Sequence, residues 1–348
     1  MKRAILILLC SVFCSTSLLS QTLRGTVYDA KTGKPVTDAR VYLDGTSMET
    51  IAGADGKFTL VVSKPINTTL VVDHILYEPY FVTTPFSSMP EKIYLKEKEN
   101  ILVEATVVAD RFTREQKLQA FREQFLGTNK AGKSCRILNE DDISFSYNSG
   151  KRTLNAQAVK PIVVENSYLG YTVEFTLMEF SAQFNDNTLR DKSIYKSMFY
   201  GTSLYVDENP NDKKIKERRV NTYKESSTCF FRSLVNGTLK ETKHRLYFKG
   251  LPTSTASCFA IKDTLQMKQL VLHPSLSPTL YVNGEKKTRG LLTVLYKRSK
   301  QTDIVFYTDV LYVDSYGNTD GVGNIMYTGA MSEQRLGSML PLDYSPAD

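Results

Sequence analysis

The chain has 348 residues, of which 41% are hydrophobic and 23% are charged. This composition is typical of globular proteins, and the length allows two domains with cores of their own. The formal net charge is +7. After residue 20, no segment approaches the ~18 consecutive apolar residues of a membrane span. We therefore expect a mature protein that is soluble or attached peripherally to a membrane.

Residues 1–20 have the pattern of a secretory signal peptide. Lys2 and Arg3 precede a short apolar run at residues 4–9, and the stretch ends at a small residue, Ser20. We predict cleavage between Ser20 and Gln21. The exported chain is then expected in the periplasm, at the outer membrane or at the cell surface. This location makes nucleic acid an improbable partner.

The cysteines fall into two groups. Cys10 and Cys14 lie in the predicted signal peptide, where lipidation is the alternative interpretation, but bulky Phe13 before Cys14 disfavours it. The three later cysteines are Cys135, Cys229 and Cys258. Export permits disulfides, and an odd count leaves at least one thiol unpaired. A disulfide between Cys229 and Cys258 stays open, but small buried hydrophobic side chains are the favoured interpretation for all three.

Short segments with alternating apolar and polar residues follow the signal peptide at even spacing. Asp29 and Gly33 mark one turn, and residues 53–56 (Gly-Ala-Asp-Gly) form a connection typical of a hairpin. The predicted strands are residues 23–27, 39–43, 48–52, 58–62, 70–73, 80–83 and 93–95. About seven such strands in roughly 75 residues indicate a two-sheet β-sandwich.

The same residues carry a family resemblance. The string G-T-V-Y-D…T-G-K-P-V…A-R-V-Y-L-D-G-T…A-D-G-K-F-T-L resembles the carboxypeptidase-regulatory-like domain, over residues 21–97. The chain departs from the family at Leu76-Tyr77, where Gly-Tyr is frequent. The resemblance implies a transthyretin-like sandwich, also grouped with carbohydrate-binding-like folds, of a kind common in envelope proteins of the Bacteroidetes. Such a domain accompanies catalytic domains without supplying their chemistry.

Residues 98–111 are predicted to form a charged linker followed by an extended strand. Residues 102–109 are similar to the segment between this sandwich and the plug of TonB-dependent receptors. A plug and a transmembrane barrel need several hundred further residues, so we expect no transporter here. A TonB-like partner for this strand remains a secondary hypothesis.

Residues 112–348 are predicted to form a β-rich α+β domain with about two helices, so that the whole chain is mostly β. One helix begins after Thr113, which has a Gln three residues later, and it carries Leu118, Phe121 and Phe125 on one face. Its basic residues Arg114, Lys117 and Arg122 are predicted to face water. A second helix is predicted near Ser226 or Ser227. The predicted strands are residues 171–177, 204–206, 246–248, 291–296, 304–308 and 311–314.

This second part also resembles a region that follows the regulatory-like domain in many Bacteroidetes envelope proteins. That region is uncharacterised, and the resemblance implies no activity. The segments that carry it are F-L-G at 125–127, I-L-N at 137–139, N-S-Y-L-G-Y at 166–171, F-F-R-S-L at 230–234 and M-L-P-L-D-Y at 339–344.

The inventory of chemically reactive residues disfavours an enzyme. A catalytic zinc site usually needs three protein ligands, but the chain has only three histidines and no His-Glu-x-x-His motif. His74 is predicted in a sandwich strand and His244 in a basic loop, while His273 precedes a proline. Residues 201–205 lack the second glycine of a nucleophile elbow. We predict no catalytic residue, no cofactor and no metal site.

Three charged segments have stronger structural than functional interpretations. Glu140–Asp142 is predicted to be an exposed helix or turn start rather than a glycosidase pair. Residues 314–321 do not match an EF-hand and favour a hairpin turn. The basic run at 213–219 is predicted to be a solvated loop leading into a strand, with contact to anionic lipid or glycan phosphate as the alternative.

An aromatic run in the sandwich supplies the candidate ligand-binding residues. These are Tyr77, Tyr80, Phe81 and Phe86. Glycan binding would use such rings for stacking, although the chain has no Trp. The sequence thus favours an exported, non-enzymatic envelope protein that binds or scaffolds an envelope protein or glycan. A carbohydrate-binding accessory protein and a hydrolase of unfamiliar type are the alternatives, and the oligomeric state stays open.

Overall fold

The computed structural model describes residues 21–98, 111–264, 266–276, 279–282, 285–321 and 323–346. The predicted signal peptide, including Ser20, Cys10 and Cys14, lies outside the described residues. So does the strand predicted at residues 102–109.

The predicted seven-stranded β-sandwich is confirmed. Its strands are β1 (Gln21–Asp29), β2 (Arg40–Leu43), β3 (Glu49–Ile51), β4 (Lys57–Val62), β5 (Leu70–His74), β6 (Tyr77–Val82) and β7 (Lys92–Leu95). One sheet has the order β4-β1-β7, with β7 parallel to β1, and the other has the antiparallel order β3-β2-β5-β6. Phe58, Leu60 and Val62 of β4 are buried while their neighbours are exposed, which is the predicted alternation.

The next part of the chain combines two helices with a six-stranded sheet. Its elements are α1 (Arg114–Phe125), α2 (Lys130–Lys133), β8 (Cys135–Ile137), β9 (Ile143–Asn148), β10 (Thr153–Ala158), β11 (Ile162–Asn166), β12 (Tyr171–Phe184) and β13 (Ile194–Asp207). The strand order is β8-β11-β12-β10-β9, and β13 also pairs with β12 along its length. The long β12–β13 ribbon positions the contact with the sandwich.

Helix α1 begins with the predicted capping box. The N–H of Gln116 donates to Thr113 Oγ1, and the N–H of Thr113 donates to Gln116 Oε1. The prediction that Lys117 faces water is wrong, because only 8% of Lys117 is exposed. Lys117 precedes Phe121 and Phe125 at intervals of four residues, so its aliphatic stem lies on the same buried face.

The described residues of the last part form three α-helices and three smaller sheets. Its elements are α3 (Lys213–Lys224), α4 (Ser227–Val235), β14 (His244–Phe248), β15 (Leu251–Thr253), α5 (Thr255–Cys258), β16 (Phe259–Asp263), β17 (Lys268–Leu272), β18 (Thr279–Val282), β19 (Glu285–Thr288), β20 (Gly290–Tyr296), β21 (Lys300–Phe306), β22 (Val310–Val313) and β23 (Ile325–Gly329). The strand orders are β15-β14-β20-β21-β23, β16-β17-β22 and β18-β19. Helix α4, capped by Ser226, confirms the second predicted helix.

The basic run at 213–219 is helical, so its prediction as a loop leading into a strand is wrong. The side chain of Asp212 accepts hydrogen bonds from the N–H groups of Lys214 and Ile215 and thereby caps α3. Ile215, Arg219 and Tyr223 form the buried face at intervals of four. An arginine in the middle of that face hides the apolar periodicity that would identify a helix.

Residues 112–346 contain two separate hydrophobic cores among the described residues. The first lies between α1 and the six-stranded sheet, and the second lies between α4 and the sheets of β14–β23. In the first core, the Phe121 ring lies 4.9 Å from that of Phe125 and 4.7 Å from that of Phe180. No helix in the described part of the chain is long and apolar enough to cross a bilayer.

We expect Phe121→Ala to lower the free energy of unfolding by about 3–5 kcal/mol, because a fully buried ring would be replaced by a cavity. Urea unfolding followed by circular dichroism measures this loss. Gln119→Ala changes an exposed position of the same helix and serves as the control. Equal stability of the two variants would contradict the central position that the structure gives Phe121.

Candidate functional site

The sandwich joins the rest of the molecule through backbone hydrogen bonds. The loop at residues 44–47, between β2 and β3, runs beside β13. The N–H of Gly45 donates to the carbonyl of Ser203 at 2.7 Å, and the N–H of Tyr205 donates to the carbonyl of Thr46 at 2.9 Å. These bonds form a parallel bridge between Thr46 and Leu204. We call this contact and the side chains around it the junction.

Side chains on the outer face of the sandwich extend the junction. The Tyr42 hydroxyl lies 3.0 Å from Thr202 Oγ1, and Arg40 Nη2 donates to Glu174 Oε2 at 2.7 Å. Tyr42, Val71 and Leu204 form a small buried cluster between the two parts. The junction thus combines backbone pairing, one ion pair and apolar contact, so it fixes both the distance and the orientation of the sandwich.

The C-terminal segment closes the junction from a third side. The N–H of Leu342 donates to the carbonyl of Gly45 at 2.7 Å, and the Ser47 hydroxyl donates to Asp343 Oδ2 at 2.6 Å. Gly45 has a φ of +73°, and a Cβ there would lie 2.9 Å from the Leu342 side chain. Glycine is therefore required at residue 45 both by the backbone conformation and by the close approach of Leu342.

The predicted turn at residues 314–321 forms part of the same region. Asp314 Oδ1 accepts hydrogen bonds from the N–H groups of Tyr316, Gly317 and Asn318, each at 2.9 Å. Its Oδ2 accepts from the N–H of Asn67 in the sandwich, also at 2.9 Å. The carboxylate therefore organises a turn, as the hairpin interpretation predicts, and in addition a contact with the sandwich that the sequence did not predict.

A cleft of about 340 Å³ opens beside the junction, and Arg219 dominates its electrostatics. Both terminal nitrogens of Arg219 donate to the Asp207 carboxylate at 2.7 Å. The guanidinium also lies 3.9 Å from the centre of the Tyr171 ring. Despite its burial, the pKa of Arg219 is raised by the bond to Asp207. Arg219, Asp207 and Tyr171 are thus held by one another.

Two carboxyl groups of the junction have raised pKa values. Burial raises the pKa of Asp44 to about 6, although the N–H of Ser203 donates to Oδ1 at 2.7 Å and opposes the shift. Burial also raises the pKa of Asp343. A raised carboxyl pKa means that the charged form is poorly solvated in the folded protein.

The structure separates the four aromatic residues predicted to bind a ligand. The Tyr77 hydroxyl donates to Asp29 Oδ2 at 2.8 Å, and both Tyr77 and Phe86 pack against the sandwich core. Tyr80 and Phe81 are 37% and 38% exposed, but they are consecutive in β6 and so point to opposite faces. The four rings do not form one platform.

The three histidines and the Glu140–Asp142 carboxylates belong to different elements. His74 ends β5, and exposed His273 follows β17. His244 begins strand β14 and is 3% exposed, so its prediction in a basic loop is wrong. Its buried position is explained by contacts with aromatic rings on neighbouring elements. Glu140 accepts two hydrogen bonds from Arg122 within a 3₁₀ turn.

The cysteines are the remaining residues that the sequence analysis considered. Cys135, Cys229 and Cys258 are free thiols, and burial raises the pKa of Cys135 to about 12. Within the described ranges, no group of three or more His, Cys, Asp or Glu side chains is arranged to hold a metal ion. The sequence did not predict the junction. Two of its parts, D-G-T at 44–46 and M-L-P-L-D-Y at 339–344, each carry a family resemblance, but nothing in the sequence indicates that they meet.

The fold and the junction define a protein in which a β-sandwich module is fixed to a larger β-rich part. Residues 23–108 match the family model of the CarboxypepD_reg-like domain, so the N-terminal part carries this domain, as the resemblance predicts. The match extends beyond β7, the last strand of the sandwich.

The other comparisons add little. No curated protein matches the chain. Among solved structures, a 9R-lipoxygenase from Cyanothece PCC8801 is matched with 10% identity and a TM-score of 0.19. The alignment covers 68% of this chain and 50% of the lipoxygenase, so the chain spans half of that protein's length. A TM-score this low carries no argument about fold or function.

We expect Asp44→Asn to stabilise the protein increasingly between pH 4 and pH 7. The pKa of Asp44 lies at about 6 in the folded protein against 3.8 ordinarily, so the stability that its protonated form contributes is lost as the pH rises through this window. The asparagine stays neutral and keeps an acceptor for Ser203. The gain relative to the parent protein should grow by up to about 3 kcal/mol, measured by urea unfolding at both pH values.

Asp55→Asn is the matched control for this experiment. Hydrogen bonds from the side chain and the N–H of Lys57 lower the pKa of Asp55, so the same charge change should act in the opposite direction. A pH-independent effect of Asp44→Asn would contradict the burial of its charge at the junction.

Proposed function

We propose that this chain is an exported, non-enzymatic cell-envelope protein that acts by binding or scaffolding through its β-sandwich. The type is the one common in the Bacteroidetes, in which an uncharacterised region follows the regulatory-like domain. The junction is the observation that carries the proposal. A sandwich fixed by backbone pairing to the larger part presents its remaining surfaces in one orientation, which suits a scaffold.

The β5–β6 turn is the surface that best fits this role. Ile75 and Leu76 at this turn are 82% and 64% exposed. The register of β2 with β5 places Leu43 opposite Leu70 and Arg40 opposite Asp73. The turn therefore lies at the opposite end of the sheet from the junction loop. Two adjacent exposed apolar side chains on a turn are well placed to bind a partner protein of the envelope.

The bonding of the polar groups singled out from the sequence supports a non-enzymatic role. Glu140 is held by Arg122, Asp314 by backbone N–H groups, and Tyr77 by Asp29. Each group has a structural partner where a catalytic group would need access to a substrate. Turnover of a peptide or glycan by the purified chain, retained after removal of contaminants, would contradict this part of the proposal.

Fractionation and pull-down test location and partner together. We expect the full chain in the envelope fraction, without residues 1–20 by mass spectrometry. Immobilised chain should capture one envelope protein, and the double variant Ile75→Asp with Leu76→Asp should reduce this capture by about tenfold or more. The matched control is Val159→Asp, which places the same charge at an apolar residue that is 84% exposed in the larger part.

Each outcome bears on a different part of the proposal. A chain found in the cytoplasm with residues 1–20 intact would contradict export. Equal capture by the parent protein and both variants would contradict the β5–β6 turn as the binding surface. Loss of capture with Val159→Asp alone would indicate that the binding surface lies on the larger part.

A further inference from the structure

A second surface of interest is a cleft of about 1120 Å³ in the larger part of the molecule. It lies where the chain after α4, the β14–β15 hairpin and the β20–β21 turn meet. Its lining residues are Gly237, Leu239, Lys240, Glu241, Lys243, His244, Arg245, Leu246, Tyr247, Pro252, Thr253, Ser254, Thr255, Lys297 and Arg298. We call it the basic cleft.

The charges of the basic cleft are strongly unbalanced. Its five cations are Lys240, Lys243, Arg245, Lys297 and Arg298, and all are exposed. Glu241 is the one carboxylate of the lining. None of the five cations forms an ion pair with a carboxylate of the described residues, whereas cations elsewhere do, as in Arg136–Glu165 and Lys268–Asp263. Such a cleft concentrates positive potential and attracts anions.

The backbone holds three of these cations in an unfavourable conformation. Lys243, Lys297 and Arg298 have φ values of 62°, 48° and 65°. The N–H of Lys297 donates to the carbonyl of Lys243, which joins the two turns at the edge of the cleft. A hairpin turn with two positive φ values favours Asn-Gly, so the use of lysine and arginine there costs stability and concentrates charge.

His244 gives the cleft a second, independent feature. Thr242 Oγ1 lies 2.9 Å from His244 Nδ1 and within hydrogen-bond distance of the carbonyls of Thr238 and Leu239, so the donor in the contact with Nδ1 depends on the tautomer of the ring. The other nitrogen, Nε2, carries a lone pair in one tautomer and an N–H in the other. It is buried and has no hydrogen-bond partner among the described residues. Burial lowers the pKa of His244 to about 4, which leaves the ring neutral near neutral pH.

A buried polar nitrogen without a partner is costly, and a ligand hydroxyl would remove this cost in either tautomer because it can donate or accept. A carboxylate or a fully ionised phosphate only accepts and so suits one tautomer alone, and a neutral sugar leaves the cations unpaired. We propose that the basic cleft binds an acidic glycan, whose anionic groups pair with the lysines and arginines while one hydroxyl forms a hydrogen bond with His244 Nε2. Because Nε2 is shielded from solvent, a hydroxyl reaches it only if neighbouring side chains move.

This inference rests on the proposed binding function but concerns a different surface, so the two can fail separately. The test is isothermal titration calorimetry of the full chain with trigalacturonate, with maltotriose as the matched neutral sugar. We expect trigalacturonate to bind at least about tenfold more tightly, with an advantage that falls as salt screens the charges. Mannose 6-phosphate tests whether a sugar phosphate serves as well as a uronate.

Two sets of variants assign the binding to the cleft. Lys243→Ala with Lys297→Ala should weaken trigalacturonate binding by about tenfold or more. Lys31→Ala with Lys92→Ala removes two exposed lysines of the sandwich and should leave binding unchanged. His244→Phe keeps an aromatic ring beside Phe230 and Tyr296 while removing Nε2, and should weaken binding about fivefold.

A second measurement protects the test if His244→Phe fails to fold. The ¹⁵N chemical shift of His244 Nε2 in the parent protein should change on addition of trigalacturonate and stay constant with maltotriose. Equal affinity for the two sugars, or unchanged binding by the Lys243 and Lys297 double variant, would overturn the proposal. Equally tight binding of hexaglutamate would overturn it as well and would assign the cleft to an acidic protein segment.

Discussion

The structure depends on a backbone contact, in which the loop at residues 44–47 pairs with β13. Its two hydrogen bonds, between Gly45 and Ser203 and between Thr46 and Tyr205, join a sandwich to a part of the chain with separate cores. Backbone groups make these bonds, so the identity of the paired side chains matters little. The bonds depend instead on the backbone geometry of the loop. Gly45 allows this geometry because it adopts a left-handed φ and has no Cβ where the Leu342 side chain packs.

The buried charged groups around the junction favour one orientation of the sandwich, at a cost in stability. Asp44 and Asp343 have raised pKa values, which means that their burial is only partly compensated by hydrogen bonds. Arg219 and Asp207, by contrast, compensate each other. Replacing polar groups with apolar ones would often stabilise such a site, but polar partners with strict geometry reject alternative packings. We infer that orientation of the sandwich is the property these residues maintain.

Local patterns predict the parts of this fold that local interactions determine. The sandwich strands follow from alternation between Gly and Asp turns, and α1 and α4 follow from Thr113 and Ser226 as caps. The failures occur where a residue satisfies a distant partner. Arg219 interrupts the apolar face of α3 because it binds Asp207, and His244 is buried because aromatic rings from other elements surround it. The junction joins segments that are far apart in the chain, and the hydrophobic periodicity of the sequence does not predict such a contact.

The two surfaces to which we assign binding lie on different sides of this contact. The β5–β6 turn belongs to the sandwich, and the basic cleft belongs to the sheet of β14 and β20. Two binding sites on one chain strengthen each other only when their separation matches that of the sites on the partner. A flexible linker would spread this separation over many values. Here the backbone pairing at the junction, which Gly45 allows, instead gives the two surfaces one separation. The junction would then determine the combined affinity for an envelope protein and an acidic glycan without contacting either.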